Sequence, residues 1–227
     1  MPIFHLTEEV TFPPPELAEP DGILAVGGDL RPERLLAAYR QGIFPWYSEG
    51  EPILWWFTDP RLIIDPAEFH IPSRLARYRR NSGVEIRFDT AFEQVIQNCA
   101  GIRTEAGDET WILPEMIEAY IKMHHLGYAH SAESWLNGEL VGGLYGLSLD
   151  RVFFGESMFS RVSKGSQYAL AGLVKFLAGR GCKLIDCQMT TKHLQRFGAK
   201  EIAGALFLGA LERWIKKIEP QQWNDHE

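Results

Sequence analysis

The chain has 227 residues, of which 45% are hydrophobic, 12% aromatic and 23% charged, and it contains 13 prolines. These proportions are typical of a globular protein and exclude a disordered, collagen-like or coiled-coil chain. The net charge of −7 excludes a generic nucleic-acid coat, because such binding needs a large cationic surface, so any nucleic-acid site must be local.

The first 66 residues are rich in proline and aromatic residues, separated by turn-forming pairs such as Asp21-Gly22. This texture predicts mostly irregular structure with one helix over residues 31–41, where Pro32 suits the first turn and Gly42 follows as a stop. Apolar residues at helical spacing predict three further helices before residue 128, with two short strands beside them. The helices are 71–80, 91–100 and 114–126, and the strands are 62–64 and 84–88.

From residue 128 the pattern changes to alternating apolar and polar positions. Residues 129–136 and 139–147 flank Asn137-Gly138, a pair that favours a type I′ hairpin, and residues 151–158 follow as a third antiparallel strand. Helices are then expected at 164–178, 191–197 and 206–218, with strands at 183–188 and 201–202. Acyl-transferring domains of the N-acetyltransferase type share this order, although order alone is weak evidence.

The predicted fold is therefore α+β, with a small mixed N-terminal domain and a C-terminal N-acetyltransferase-like α/β domain. We expect residues 1–66 and 67–127 to form the two parts of the first domain and residues 128–227 to form the second. The three cysteines, Cys99, Cys182 and Cys187, have no metal-ligand spacing, which predicts free thiols in a reducing compartment. Residues 1–9 do not resemble a signal peptide and no apolar run is long enough for a membrane span, so we expect a cytoplasmic protein.

Most familiar enzyme signatures are missing from the sequence. It has no phosphate loop, zinc-binding H-E-x-x-H pair, nucleophile elbow or EF-hand loop, which makes nucleotide hydrolysis and common hydrolase chemistry improbable. His124, His125 and His130 lie close together, but helix packing and surface placement explain them better than a metal does. We expect no metal site.

A local basic cluster is the one candidate for a nucleic-acid contact. Arg74, Arg77, Arg79, Arg80 and Arg87 gather within fourteen positions that contain a single acid. Such a cluster is either a solvated helix face or a contact with a polyanion.

Two acids are unusual because the other residues of their predicted strands are mostly apolar, as is typical of a buried core. Asp186 lies in the segment LIDCQ and Glu156 in FFGESMF. Strand alternation places Asp186 and Gln188 on one face, so the carboxylate and the amide are expected to project side by side. Each acid is either a satisfied buried acceptor or part of an apolar cleft with an acidic floor that accepts a cationic ligand.

Tryptophans form the other anomaly of the sequence. Trp46, Trp55 and Trp56 cluster among prolines and glycines rather than at a core period. They either stack on bases, as exposed loop aromatics do at an RNA end, or form a small aromatic core beneath long loops.

Six segments, in a fixed order, carry a resemblance to a known family. They read DGILAVGGDL (21–30), GIFPW (42–46), ILWW (53–56), GELVGGLYG (138–146), FGESMFS (154–160) and KLIDCQ (183–188). Together they make the chain similar to the leucyl/phenylalanyl-tRNA–protein transferase family from about residue 12 to residue 202.

This resemblance implies an aminoacyltransferase that moves leucine or phenylalanine from tRNA to the N-terminal arginine or lysine of a protein. The product would carry an N-degron for bacterial proteolysis, and no metal or coenzyme A would be needed. The implied partners are leucyl-tRNA or phenylalanyl-tRNA and the acceptor protein, with no membrane. A long amphipathic seam is missing from the sequence, so we expect a monomer.

Site residues carry over from the same resemblance, position by position. Asp186 and Gln188 match the family's catalytic pair, Glu156 its acidic site residue, and Trp46 the tryptophan that stacks on the terminal adenosine. The other matched aromatic positions are Tyr39, Trp111 and Tyr120, and the tRNA-binding basic positions are Arg74, Arg77 and Arg80.

Roles for these residues follow as hypotheses. Gln188 would hold the attacking amine through its carbonyl oxygen, Asp186 would orient Gln188 and help to attract the cationic acceptor, and Glu156 would support the same acidic floor. The side chain of the transferred amino acid would enter an apolar pocket formed by some of Leu144, Phe153, Met158 and Ile185.

Two rival functions remain open at this point. One is a coenzyme-A-dependent acetyltransferase of similar fold, but its pyrophosphate loop, if started at Arg161, would need a glycine where this chain has Lys164. The other is a non-catalytic adaptor that binds an RNA end or an N-degron without transferring anything.

Overall fold

The computed structural model describes residues 3–80, 82–105 and 110–223. Within these ranges the chain forms two sheets and seven helices. The helices are α1 (Pro32–Arg40), α2 (Ser73–Arg80), α3 (Phe92–Glu105), α4 (Pro114–His125), α5 (Gly165–Gly179), α6 (Lys192–Gln195) and α7 (Gly204–Trp214). The strands are β1 (Phe4–Leu6), β2 (Ile23–Gly27), β3 (Phe44–Pro45), β4 (Leu54–Trp56), β5 (Arg61–Ile64), β6 (Glu85–Phe88), β7 (Ala129–Leu136), β8 (Glu139–Leu149), β9 (Val152–Ser160), β10 (Leu184–Asp186) and β11 (Lys200–Ile202).

A four-stranded sheet occupies the N-terminal region, in the order β1-β2-β4-β3. Most residues of this region lie outside helices and strands, as predicted, but the sheet itself was not predicted. Its strands are two to five residues long, which is too short for a period-two pattern to emerge among the prolines and glycines. The predicted helix over 31–41 is confirmed as α1, which begins at Pro32.

A seven-stranded sheet dominates the rest of the molecule, in the order β11-β5-β10-β9-β8-β7-β6. The predicted meander is confirmed: β7, β8 and β9 are antiparallel neighbours, and Asn137 and Gly138 both adopt the positive φ that a type I′ turn requires. After α5 the chain returns as β10, which pairs parallel with β9. This succession confirms the predicted α+β class and the N-acetyltransferase-like order of elements.

Strands from all three predicted segments join the larger sheet. β5 comes from residues 1–66 and lies between β10 and β11, and β6 comes from residues 67–127 and lies at the opposite edge. The division at residues 66 and 127 into domains remains a prediction.

Several ends differ from the predictions, and two of them have clear local reasons. β10 stops at Asp186 instead of residue 188, because Gln188 turns into the left-handed region with φ 54°. α7 ends at Trp214 instead of residue 218, and the backbone N–H of Lys216 then donates to Asp150 Oδ2 at 2.8 Å. Residues 215–223 form no helix or strand, and the backbone N–H of Gln221 donates to the Gly127 carbonyl at 2.7 Å.

Two clusters of buried apolar side chains cover the faces of the larger sheet. One cluster joins α1, α3, α4 and the four-stranded sheet, and the other packs around α5. Across residues 3–80, 82–105 and 110–223, a helix with the length and apolar character of a membrane span is not found.

Candidate active site

An apolar cavity of about 370 Å³ opens between the seven-stranded sheet, α5, α6 and the loop after β3. All four residues predicted for the amino-acid pocket line it: Leu144, Phe153, Met158 and Ile185. Leu170 and Leu173 of α5 complete the apolar wall. The sequence did not distinguish these two leucines from ordinary core positions, because the face of α5 that packs on the sheet also faces the cavity.

Glu156 brings an acid to the wall of this cavity. Tyr39 donates a hydrogen bond to its Oε1 at 2.7 Å, and Tyr120 donates to its Oε2 at 3.2 Å. The two tyrosine hydroxyls also contact each other, and both rings are fully buried. The resemblance placed Tyr39, Tyr120 and Glu156 at the site. These residues are far apart in sequence, and both tyrosines contact the Glu156 carboxylate.

Burial raises the pKa of Glu156 to about 7, and the charge of Asp186 adds to this rise against the lowering effect of the tyrosine hydroxyls and Arg61. Burial and the nearby Glu156 carboxylate raise the pKa values of Tyr39 and Tyr120 well above the ordinary value. Both tyrosines therefore remain protonated hydrogen-bond donors at neutral pH, while Glu156 changes its charge in that range.

Asp186 does not line the cavity but lies beneath it, fully buried and paired with Arg61. Arg61 Nε donates to Asp186 Oδ1 at 2.8 Å and Nη2 to Oδ2 at 2.7 Å. The prediction that Asp186 helps to attract a cationic acceptor is corrected by this geometry, because an arginine already neutralises its charge. The cavity has an acidic wall at Glu156 instead of a floor of two acids.

Gln188 lies two residues after the end of β10 and lines the cavity. Its side-chain Nε2 donates to Asp186 Oδ2 at 3.3 Å, and its backbone N–H donates to Asp186 Oδ1 at 3.0 Å. The predicted proximity of the two side chains is therefore confirmed, although a left-handed turn at Gln188 produces it, not strand alternation.

The tryptophan cluster combines both interpretations left open by the sequence. Trp55 is buried and its indole donates to the Gly27 carbonyl at 2.9 Å, so it belongs to an aromatic core. Trp46 and Trp111 line the cavity, with ring centroids 6.2 Å apart and planes at 89°. The ring of Trp56 also packs against that of Trp46, with centroids 5.2 Å apart.

Four of the five arginines of the basic cluster lie on α2, and Arg87 lies on β6. Arg74 and Arg77 are exposed on α2, whereas the side chain of Arg80 lies outside the described residues. Tyr78 extends this surface: its ring is 3.3 Å from Lys164 Nζ, and the Arg77 guanidinium lies 5.7 Å from the ring centroid. The predicted cationic surface therefore reaches the loop that precedes α5.

That loop bears on the acetyltransferase alternative. Lys164 adopts φ 71° where the coenzyme-A loop would need glycine. The first N–H groups of α5 are already bonded within the chain, Gly165 to the Val162 carbonyl at 3.1 Å and Ser166 to Ser160 Oγ at 2.8 Å. These donors are not directed at an outside phosphate.

The structure also bears on the predicted absence of a metal site. Among the described residues there is no group of three or more histidine, cysteine or acidic side chains that could hold a metal ion. His130 instead pairs through Nδ1 with Asp89 Oδ2 at 2.7 Å, and the His124 ring stacks on Phe92.

Two family models match most of the chain. One, described as "Leucyl/phenylalanyl-tRNA protein transferase", matches residues 63–212, and one for the N-terminal domain of the same proteins matches residues 28–59.

Individual proteins match over nearly the full length. A leucyl/phenylalanyl-tRNA–protein transferase from Azoarcus sp. (strain BH72) is 58% identical over 96% of this chain and 94% of its own length. A protein of the same name from Syntrophobacter fumaroxidans is 57% identical over 96% of this chain and 93% of its own length. Among solved structures, a GCN5-related N-acetyltransferase from Kribbella flavida shares 14% identity at a TM-score of 0.37, over 76% of this chain and 61% of that one.

Proposed function

The chain belongs to the leucyl/phenylalanyl-tRNA–protein transferase family, and from this premise we propose how its cavity performs the transfer. The protein is an aminoacyltransferase that moves leucine or phenylalanine from tRNA to a protein. We propose further that the acceptor begins with arginine or lysine and that the added residue is an N-degron. We also propose that the enzyme acts as a monomer in the cytoplasm, where Cys99, Cys182 and Cys187 remain free thiols.

One observation carries the acceptor specificity. Of the described residues that line the cavity, Glu156 is the one acid, and apolar and aromatic side chains surround it. An ionised carboxylate in such surroundings is strongly attracted to a cation, because little water screens the charge. A basic N-terminal residue supplies that cation.

The reaction itself needs little chemical activation. The aminoacyl ester is already reactive, and an α-amino group with a pKa of roughly 7.7–8.0 is partly neutral at physiological pH. The amine nitrogen forms a bond to the ester carbonyl carbon, the bond from that carbon to the ribose oxygen breaks, and the leaving hydroxyl gains the amine proton. Positioning of the two reactants contributes on the order of 7–11 kcal/mol to such a reaction.

Gln188 is well placed to position the amine. Because Nε2 donates to Asp186, the carbonyl oxygen Oε1 is the part of the amide left to accept a hydrogen bond from the attacking amine. Asp186 acts as the anchor of that amide. Trp46 and Trp111 offer faces on which the terminal adenosine of the tRNA stacks.

The donor side chain enters the apolar part of the cavity. Leu144, Phe153, Met158 and Ile185 form a slot that suits leucine or phenylalanine, whose β-carbons are unbranched. Discrimination against valine and isoleucine by shape is worth about 1–3 kcal/mol.

We expect the acceptor to be used better as the pH rises through about 7. Glu156 is mainly neutral below that pKa and ionised above it, so its attraction for a cationic peptide increases with pH. The measurement is kcat/KM for an Arg-starting peptide from pH 6 to 8, in the wild type and in Glu156→Gln. The wild-type-to-variant ratio should rise with pH, and since the amine titrates identically in both, a constant ratio would contradict the role of Glu156.

A reversed charge on α2 should weaken tRNA binding in a salt-dependent way. Arg74→Glu with Arg77→Glu is expected to reduce the slope of log affinity against log salt by about 0.7–0.9 for each phosphate that these arginines neutralise in the wild type. Filter binding of leucyl-tRNA at several salt concentrations measures this slope. Arg213→Glu, an exposed arginine on α7, is the matched control, and an unchanged slope in the α2 variant would assign these arginines to a solvated face.

A transfer assay tests the function as a whole. Radiolabelled leucyl-tRNA and an Arg-starting peptide are incubated with the protein, without coenzyme A or ATP, and label is sought on the peptide. Label on this peptide and none on an N-terminally acetylated copy supports the proposal. Binding of both substrates without transfer would identify an adaptor instead, and saturable stabilisation by acetyl-coenzyme A would favour the acetyltransferase.

A further inference from the structure

Arg61 has no role in the mechanism so far, yet it is fully buried beside the reaction centre. Its guanidinium forms a two-pronged pair with Asp186, and Nη1 reaches Thr58 Oγ1 at 3.5 Å. Three aromatic rings enclose it, with centroids 5.0 Å away for Phe44, 5.7 Å for Phe57 and 4.6 Å for Phe207. The arginine is therefore fixed on all sides.

Stability alone does not account for this arrangement. A buried ion pair costs much desolvation, and apolar side chains of similar volume often stabilise a core as well or better. A guanidinium in a two-pronged pair does supply something that apolar packing cannot, namely a fixed orientation of the carboxylate.

The orientation of Asp186 decides the orientation of Gln188. The carboxylate uses both oxygens twice: each accepts one bond from Arg61 and one from Gln188. A carboxylate free to rotate would not hold the Gln188 backbone N–H and side-chain Nε2 at the same time. The position of Gln188 in the cavity thus depends on the two hydrogen bonds that the Arg61 guanidinium donates to Asp186.

The main chain of β5 holds the same turn. Leu62, the neighbour of Arg61, donates its N–H to the Gln188 carbonyl at 3.2 Å, and its own carbonyl accepts from Cys187 N at 2.9 Å. One strand therefore fixes the Gln188 backbone directly and its side chain through the Arg61–Asp186 pair.

We propose that Arg61 is a positioning residue for transfer, which holds Asp186 in the one orientation that directs the Gln188 amide into the cavity. This role rests on the proposed function. Arg61 contacts neither substrate, so it acts on the rate of the bound complex and not on the binding of tRNA.

Arg61→Lys tests this role, because lysine keeps the charge and loses the planar fork. We expect kcat for leucyl transfer to fall about a hundredfold, as misplacement of a reactive group by about 1 Å does, with KM for leucyl-tRNA within threefold of the wild type. Arg34→Lys is the matched control: Arg34 is equally buried but bonds the carbonyls of Thr7 and Glu9, and its replacement should leave kcat unchanged.

A double variant shows whether Arg61 acts through Asp186. Arg61→Lys added to Asp186→Asn should lower kcat by less than threefold beyond Asp186→Asn alone, since the orientation is already lost. If Arg61→Lys does not fold in a thermal-denaturation scan, Phe207→Leu replaces it. That variant removes a ring from the guanidinium and should lower kcat severalfold at unchanged KM.

The outcomes separate the two proposals. A wild type that transfers no label overturns the proposed function and this inference with it. If the wild type is active, any one of three results overturns the role of Arg61 alone. These are a wild-type kcat in Arg61→Lys, independent multiplicative losses of kcat in the double variant, and an unchanged kcat in Phe207→Leu.

Discussion

Gln188→Ala should reduce kcat for transfer of leucine to an Arg-starting peptide by about a hundredfold or more. The loss is expected because the variant lacks the carbonyl oxygen that accepts a hydrogen bond from the attacking amine, and removal of one such positioned hydrogen-bonding group costs roughly 10²–10³ in kcat. Backbone strain should differ little between the two proteins: Gln188 has a left-handed φ of 54°, and alanine, which also carries a Cβ, meets the same steric cost there.

Single-turnover kinetics with leucyl-tRNA measures this effect apart from product release. Gln195→Ala, an exposed glutamine on α6, is the matched control and should transfer at the wild-type rate. A Gln188→Ala rate within threefold of the wild type would remove Gln188 from the mechanism.

Asp186→Ala should combine a loss of transfer with a large loss of stability. The variant leaves the Arg61 guanidinium buried without its partner, and removal of one member of a buried ion pair costs about 3–5 kcal/mol in the free energy of unfolding. Gln188 loses two hydrogen bonds to the carboxylate at the same time, one from its backbone N–H and one from its side-chain Nε2, so kcat should fall as well.

Urea unfolding of Asp186→Ala and of a matched variant measures the stability loss. Asp29 pairs with another buried arginine, Arg34, at 3.3 Å, but Asp29 itself is 42% exposed. Asp29→Ala should therefore cost only about 0–1 kcal/mol. Equal costs for the two variants would show that burial of the Asp186 pair has no special consequence, and transfer within a few fold of the wild type would exclude Asp186 from the site.

Sequence patterns predicted the three antiparallel neighbours β7, β8 and β9 of the larger sheet well because these strands are eight to eleven residues long. The Asn137-Gly138 pair marks the turn between β7 and β8. The N-terminal strands could not be predicted in the same way. β3 has two residues and β1 and β4 have three, so their existence depends on pairing with neighbouring strands and not on a local pattern.

The candidate site was predictable to the extent that its residues are unusual where they stand. An acid within an apolar strand drew attention to Glu156 and Asp186, and the resemblance added Tyr39 and Tyr120. Arg61 gave no signal, because its partner lies 125 residues further along the chain and a strand-end arginine is usually solvated. Because the Arg61–Asp186 pair was not predicted, Asp186 was wrongly expected to attract the acceptor.

The central claim is that the carboxylate of Glu156 recognises the positive charge of the acceptor's first residue. Citrulline has the shape of arginine without its charge, so a pair of peptides that start with Arg and with citrulline isolates that charge. We predict that the wild type uses the Arg peptide at least tenfold better in kcat/KM at pH 8, and that Glu156→Gln brings the two peptides to within threefold of each other. Equal use of both peptides by the wild type, or a preference that survives in Glu156→Gln, would contradict the account.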